Sequence, residues 1–205
     1  MKTVLVVLGI LVALAAAVAM YGVSSYNKLV DRQQAVDAQW AQVQNVYQRR
    51  ADLIPNLVNT VSGAANFERS TLTEITEARA SVGRVTVNPS QAPTDPNQLV
   101  EFDRAQGQLS SALSRLLVVA ERYPDLKATS NFQTLQAQLE GSENRIAVER
   151  GRFNEVVQGY NAAVKRFPTV LFAGVLGFQP RPYFAATPGA EKAPDVNFDF
   201  GKKGT

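Results

Sequence analysis

The sequence of 205 residues contains no cysteine and no histidine. Without cysteine there are no thiol nucleophiles and no disulfide bonds, and without histidine the commonest general base is missing. The two absences together also remove nearly all zinc, copper and haem ligand sets. We therefore expect no catalytic residues, no metal site and no enzyme activity.

Charge imbalance and nucleotide-binding motifs are lacking as well. The 21 Lys and Arg residues outnumber the 18 Asp and Glu residues by only three, and the excess is spread along the chain. A nucleic-acid interface needs a concentrated basic face, so no nucleic-acid partner is predicted. No GxxxxGK[ST] loop occurs, and Gly141 and Gly151 stand alone in helical sequence. The sequence therefore predicts no nucleotide or other cofactor.

The amino-terminal region contains one long apolar run. Residues 4–23 are almost entirely Val, Leu, Ile and Ala, without a charge. About 20 helical residues cover the ~30 Å hydrocarbon core of a bilayer, so residues 1–25 are predicted to form a transmembrane anchor. A cleaved signal peptide is the alternative, because residues 17–19 resemble a cleavage site. Retention is favoured because no proline or turn cluster separates the run from the following helical sequence.

Residues 26–167 carry the pattern of a helical bundle. Apolar residues from Leu29 to Ala64 recur at alternating steps of four and three, which is typical of a long amphipathic helix. Pro55 lies within this pattern and predicts a kink or break near residues 51–54. After that interruption the helical pattern resumes through residue 78.

Two further helices follow a proline-rich loop over residues 83–96. Asp95 before Pro96 has the signature of a helix start, and Ser130 is the predicted N-cap of the last long helix. No alternating strand pattern occurs before residue 168. We therefore predict an all-α fold, an elongated antiparallel bundle of three to four helices.

The chain ends in an irregular segment, residues 168–205, which we call the C-terminal strap. It is rich in proline and in aromatic residues. The favoured interpretation is that these side chains cover one end of the bundle. The alternative is an aromatic patch that lies on a membrane or on a partner, and Tyr183 and Phe184 are the candidate partner contacts.

Polar residues occupy several positions where the helical pattern expects core. A lone buried charge costs several kcal/mol, so such residues persist inside a bundle only when they are paired. A buried network that sets the helix register is one interpretation, solvated residues are another, and a ligand or catalytic pocket is a third. The candidates are Arg50, Glu68, Glu143, Arg150, Asn154 and Asn161.

Several blocks of sequence carry a resemblance to a known family. They are Tyr26-Asn27 with Leu29-Val30, the RADLIPNLV block at 50–58, the YPDLK block at 123–127, Glu143-Asn144-Arg145-Ile146, and the pairs Phe153-Asn154 and Tyr160-Asn161. From about residue 21 to about residue 185 the chain resembles the LemA family of bacterial membrane-anchored proteins. Phe153 is a small departure, since Tyr is usual there. The resemblance implies one N-terminal anchor and an elongated helical bundle, with no established biochemical activity.

These observations favour a non-enzymatic scaffold or adaptor that contacts another membrane or envelope protein. A sensor or carrier that binds a small ligand or lipid between the helices is the alternative, and an enzyme is the third. The expected location is the bacterial inner (cytoplasmic) membrane, crossed once through residues 4–23. One basic residue, Lys2, precedes the run, and two, Lys28 and Arg32, follow it. By the positive-inside rule, so small a difference barely decides which side of the membrane the bundle occupies. An export signal-anchor with an extracytoplasmic bundle is favoured, and a cytoplasmic bundle stays open.

Overall fold

The computed structural model describes residues 2–64, 67–85 and 87–185. Phe198 and Phe200 of the C-terminal strap lie outside these residues. The helices are α1 (Lys2–Ser62), α2 (Arg69–Arg84), α3 (Pro96–Ala120), α4 (Pro124–Lys127), α5 (Ser130–Lys165) and α6 (Val170–Ala173). No strand occurs within the described ranges, and the predicted all-α fold is confirmed.

The four long helices alternate in direction. On α1 and α5, Arg32 is bonded to Gly159, Gln39 to Glu149 and Arg50 to Glu143, so that positions rise on one helix as they fall on the other. α2 and α3 are likewise paired by Glu74 with Arg115 and by Glu68 with Arg122. The arrangement is therefore the antiparallel bundle that the amphipathic patterns predicted.

α1 is a single helix of 61 residues that continues through Pro55. Of the kink or break predicted near residues 51–54, the break is wrong, because the chain leaves the helix only after Ser62. Proline removes one backbone hydrogen bond, but the neighbouring side chains of Ile54 and Leu57 are buried in the bundle and hold this turn in place. The predicted boundary between anchor and bundle, at residue 25, lies inside this helix.

The first part of α1 is exposed along its whole length. The large apolar side chains of residues 4–23 are all exposed, and α1 is the one described helix that is long and apolar enough to cross a membrane. We call the end of the bundle next to this segment proximal and the opposite end distal. At 1.5 Å per residue, Ser62 lies about 58 Å along the axis from Val23.

Helix starts follow local capping rules. Asp95 accepts a hydrogen bond from the backbone N–H of Asn97 at 2.9 Å, and Pro96 occupies the first turn, as predicted. α5 is capped by Thr129, whose hydroxyl accepts from the N–H of Phe132, one residue before the predicted cap. Both caps end loops that reverse the chain between neighbouring helices.

The bundle interior consists of two hydrophobic clusters. The proximal core is formed by residues such as Trp40, Tyr47, Phe102, Phe153 and Phe184. The distal core is formed by residues such as Ile54, Leu57, Ile75, Leu109 and Phe132. On each of the three helices α1, α3 and α5, a short polar interval separates the two cores.

Candidate functional site

The polar interval between the two cores is organised around Arg50, whose side chain is only 1% exposed. Its Nη1 donates to Glu143 Oε1 and to Ser110 Oγ, both at 2.7 Å. Its Nη2 donates to Gln106 Oε1 at 2.5 Å and to the Gln106 backbone carbonyl at 3.3 Å. We call Arg50, Gln106, Ser110 and Glu143 the polar layer.

The polar layer joins three helices, because Arg50 comes from α1, Gln106 and Ser110 from α3, and Glu143 from α5. Arg50 Nε is buried without a hydrogen-bond partner, so the guanidinium works through its two terminal nitrogens. Glu143 is 45% exposed, so water reaches the carboxylate of this ion pair but not the guanidinium. Any vertical slip of one helix would separate these groups, which fits a device that sets helix register.

A second ion pair lies one to two turns closer to the proximal end of the bundle. Arg150 Nη1 and Nη2 reach the two carboxylate oxygens of Asp103 at 2.7 and 3.3 Å, and the Arg150 guanidinium lies 4.5 Å from the ring centroid of Phe184. Nη2 also donates to the backbone carbonyl of Ala185 at 3.2 Å. Arg150 therefore pairs with Asp103 rather than with Glu68 or Glu143. Through Ala185 it also connects α3 and α5 to the C-terminal strap.

Asn154 and Asn161 hold the strap backbone. Asn161 Nδ2 donates to the carbonyl of Arg181, and the N–H of Arg181 donates to Asn161 Oδ1, both at 2.8 Å. Asn154 makes the same pair of bonds with Phe184, at 3.0 and 2.9 Å. Seven helical residues span about 10.5 Å and three extended residues span about 10 Å, so the two spacings match. These amides bind an extended segment along α5, a role that their helical spacing alone did not predict.

Arg181 is a buried residue that sequence reasoning missed. It is 6% exposed, and its Nη1 donates to the backbone carbonyl of Ala92 at 2.7 Å. The N–H of Ala92 in turn donates to Asp37 Oδ1 at 2.9 Å. The loop before α3 is thereby held between α1 and the strap. An arginine in a proline-rich tail carries no helical periodicity, so no sequence signal pointed to this position.

Burial shifts the pKa of two tyrosines that lie beside these networks. Desolvation raises the pKa of Tyr47 above its ordinary value, although the positive charges of Arg150 and Arg50 lower it in part. Desolvation also raises the pKa of Tyr160, against the lowering effect of Arg181. Both hydroxyls therefore stay protonated at neutral pH and cannot act as bases.

Two predicted positions lie elsewhere than expected. Glu68 pairs with Arg122 at 2.6 Å near the distal end and does not reach Arg50. Phe184 is 5% exposed and packs against Trp40, Phe102 and Phe153, so its prediction as a partner contact is wrong. The reason is that alternate residues of an extended strap face opposite sides, which leaves Tyr183 outward at 47% exposure.

A cavity of about 590 Å³ opens at the distal end. Its walls come from the end of α1, the turn between α3 and α5, and the first residues of α5. We call it the tip groove; it is lined by Thr60, Gly63, Ala64, residues 122–126, Thr129 and Asn131. The first four residues of the YPDLK block are therefore part of its wall.

The described residues offer no grouping of three or more Asp, Glu, His or Cys side chains that could hold a metal ion. The carboxylates nearest to the polar layer are engaged by arginines, as Glu143 and Asp103 show. The arrangement can therefore fix helices and a strap in register, and it contains no free pair of groups for acid–base chemistry among these residues.

The family model described as the LemA family matches residues 39–198. The chain belongs to the LemA family. The match covers the bundle from residue 39 onward and the strap as far as residue 198, and it includes Arg150, Asn154 and Asn161. Membership and the apolar helix describe a membrane-associated helical protein.

Two curated relatives share about a quarter of their aligned residues with this LemA-family chain. It is 26% identical over 183 residues to the magnetosome protein MamQ of Magnetospirillum gryphiswaldense, which covers 81% of this chain and 66% of that protein. It is 24% identical over 143 residues to the protein LemA of Metamycoplasma hominis, which covers 70% of this chain and 61% of that protein. The chain thus spans slightly less than two thirds of the length of these relatives.

Proposed function

We propose that this protein is a membrane-tethered, non-enzymatic adaptor that presents the tip groove to another envelope protein. The observation that carries the proposal is the height of the groove. One unbroken helix runs from the apolar segment to the groove, and it places the groove about 58 Å from the end of that segment. A rigid spacer of this length suits contact at a fixed distance from a membrane.

The interior of the bundle supports a mechanical role. The polar layer, the Arg150–Asp103 pair and the two asparagine clamps each tie together segments that are far apart in sequence. Such ties restrict sliding between helices and hold the groove at a fixed distance from the apolar segment. In this proposal the buried polar residues stiffen the adaptor and the partner never touches them.

A photoreactive amino acid at Asn131, an exposed residue of the groove, tests the proposal in living cells. The matched position is Glu101, which is exposed on α3 outside the groove. We expect a crosslinked protein band from position 131 and none from position 101. A charge reversal in the groove, Asp125→Lys, should remove the band, whereas Glu101→Lys should leave it unchanged. Equal bands from both positions would contradict docking at the groove.

The size of the groove favours one second candidate, binding of a small ligand. A cavity of about 590 Å³ lies within the range of ~300–1,000 Å³ typical of small-molecule sites. Native mass spectrometry of the purified full chain distinguishes the two functions. A bound mass that disappears in a Thr60→Trp variant supports the ligand, and its absence together with the crosslink supports the adaptor.

For location we propose a single pass through the bacterial inner membrane with the bundle outside the cytoplasm. The chain lacks cysteine, so one cysteine introduced at the exposed Val118 is a unique label. A membrane-impermeant maleimide should modify Val118→Cys in intact spheroplasts. Modification only after lysis would place the bundle in the cytoplasm.

A further inference from the structure

The segment that follows α5 carries large apolar side chains on its outer side. We call residues 166–178 the proximal loop. Thr169, Ala173 and Phe178 are buried against the bundle, whereas Phe167, Leu171 and Val175 are 75%, 70% and 89% exposed. The loop is thus packed on one side and apolar on the other. Contiguous exposed apolar surface in a well-packed region indicates a binding surface.

The position of the loop identifies what it faces. α5 descends beside α1, with Arg32 bonded to Gly159, and six further helical residues carry it about 9 Å towards the apolar segment. The ring of Phe178 lies 5.5 Å from that of Tyr26, which is three residues from the end of the apolar run. Both ends of the loop therefore lie near the level of Tyr26, about 5 Å along the axis from residue 23. The headgroup layer of a bilayer is about 5–8 Å thick.

The backbone of the loop suits a site with little water. Seven amides, those of Val170–Ala173 and of residues 176–178, donate to carbonyls within the loop. Unsatisfied backbone groups are what make irregular segments costly near hydrocarbon. Because most of its amides are paired, the loop can approach the acyl region at a reduced cost. Gly177 closes the final turn with a φ of +84°, a conformation that favours glycine.

The charges of this region point to the same surface. Lys165 and Arg166 are exposed where the loop begins, and no Asp or Glu occurs between Glu155 and Glu191. Basic residues beside apolar ones are the composition that binds anionic lipid headgroups and the acyl boundary together.

We propose that the proximal loop is a second membrane contact, which inserts Phe167, Leu171 and Val175 into the headgroup layer of the membrane that α1 enters. The occupant of this apolar surface is the lipid surface itself. A single helix leaves a bundle free to tilt, and a contact beside it restricts the tilt. The proposal requires residues 4–23 to cross the bilayer and does not depend on docking at the tip groove.

The test uses the full chain in lipid nanodiscs that contain one copy each. Single cysteines at Leu171 and Val175 carry an environment-sensitive fluorophore. Val118, which is 70% exposed on α3, gives the matched control. Leu14, inside the apolar run, reports separately whether α1 is inserted. All four side chains are exposed in the structure, so labelling leaves the bundle core intact, which the fluorescence of the buried Trp40 verifies.

Phospholipids brominated near the headgroup should quench the labels at positions 171 and 175 severalfold more than the label at 118, and their emission should shift to the blue. Equal quenching at 118 and 175, with the label at 14 quenched by deeply brominated lipid, would overturn the proposal. Protection of position 175 only in discs with several copies would also overturn it, because the surface would then bind a second chain.

Discussion

Removing Glu143 should destabilise the bundle although this side chain is nearly half exposed. Exposed carboxylates usually change stability by less than about 0.5 kcal/mol. Glu143, however, supplies the negative charge for Arg50, whose side chain is 1% exposed. Glu143→Ala would therefore leave a cation in the interior without its counter-charge.

The size of this destabilisation follows from the different solvent exposure of Arg50 and Glu143. Breaking a fully buried ion pair costs about 3–5 kcal/mol, and an exposed pair is worth about 0–1 kcal/mol. Arg50 is dry, Glu143 is reached by water, and Gln106 and Ser110 still accept from the guanidinium. We expect a cost of about 2 kcal/mol for Glu143→Ala, between these limits.

The partner substitution should cost more for a different reason. Arg50→Ala removes a large buried side chain and leaves Gln106 and Ser110 without their donor, for about 4 kcal/mol in total. In that background the carboxylate has no cation to neutralise, so Glu143→Ala should add less than about 0.5 kcal/mol. The double-mutant cycle therefore predicts a coupling energy of about 1.5–2 kcal/mol.

Denaturant unfolding of the full chain in mild detergent measures these differences. Trp40 is the single tryptophan and is 0% exposed, so its fluorescence reports loss of the proximal core. Glu140→Ala, one turn away on α5 and exposed, is the control, because it loses only a bond from Gln136. If Glu143→Ala and Glu140→Ala agreed within about 0.5 kcal/mol, the polar layer would contribute no specific stability.

The remaining predictions concern the strap, the tyrosines and the anchor. Asn161→Leu strands two buried backbone groups of the strap and should cost about 2–4 kcal/mol, with faster hydrogen exchange in residues 181–184; retained protection would contradict the clamp. Phe184→Ala should cost about 3–5 kcal/mol by thermal or denaturant unfolding and Tyr183→Ala less than about 0.5, because only the first side chain is buried. Burial raises the pKa of Tyr47 above its ordinary value of 10.0. The protonated side chain therefore contributes fully to folding stability below pH 10, and this contribution is lost as the pH rises through the raised pKa. In an alkaline titration of unfolding free energy, Tyr47→Phe should lose less stability than the unmodified protein. Mass spectrometry of the purified protein should find residues 4–23 still attached, and a mature terminus near Met20 would favour the signal peptide.

Most of the helical segments follow from sequence alone, although the end of α1 at Ser62 does not. The alternating pattern from Leu29 to Val61 coincides with the side chains that α1 buries, because a helix of this length must place one apolar stripe against its neighbours. Asp95 before Pro96 marked a helix start because capping depends only on nearby backbone groups. The apolar run at 4–23 and the RADLIPNLV and YPDLK blocks likewise identified the candidate membrane span and the family without coordinates.

Partner choice among the polar residues required the tertiary structure. Periodicity placed Arg50, Glu143 and Arg150 on inward faces but could not state which charges meet, since pairing depends on the vertical offset between helices distant in sequence. The offset brings Glu143 to Arg50, gives Arg150 to Asp103 and leaves Glu68 with Arg122.

The C-terminal strap also shows which features the sequence predicts and which require the tertiary structure. Its aromatic and proline content predicted a covering segment, but an irregular chain has no period that assigns faces to its residues. Two asparagines on α5 set its register, and that register turns Phe184 into the proximal core and Tyr183 to solvent. Sequence determined most of the helical segments and the candidate membrane span, because those properties are local. Only the packed structure decided which polar groups pair and which aromatic residues stay exposed, because those depend on contacts between segments far apart in the chain.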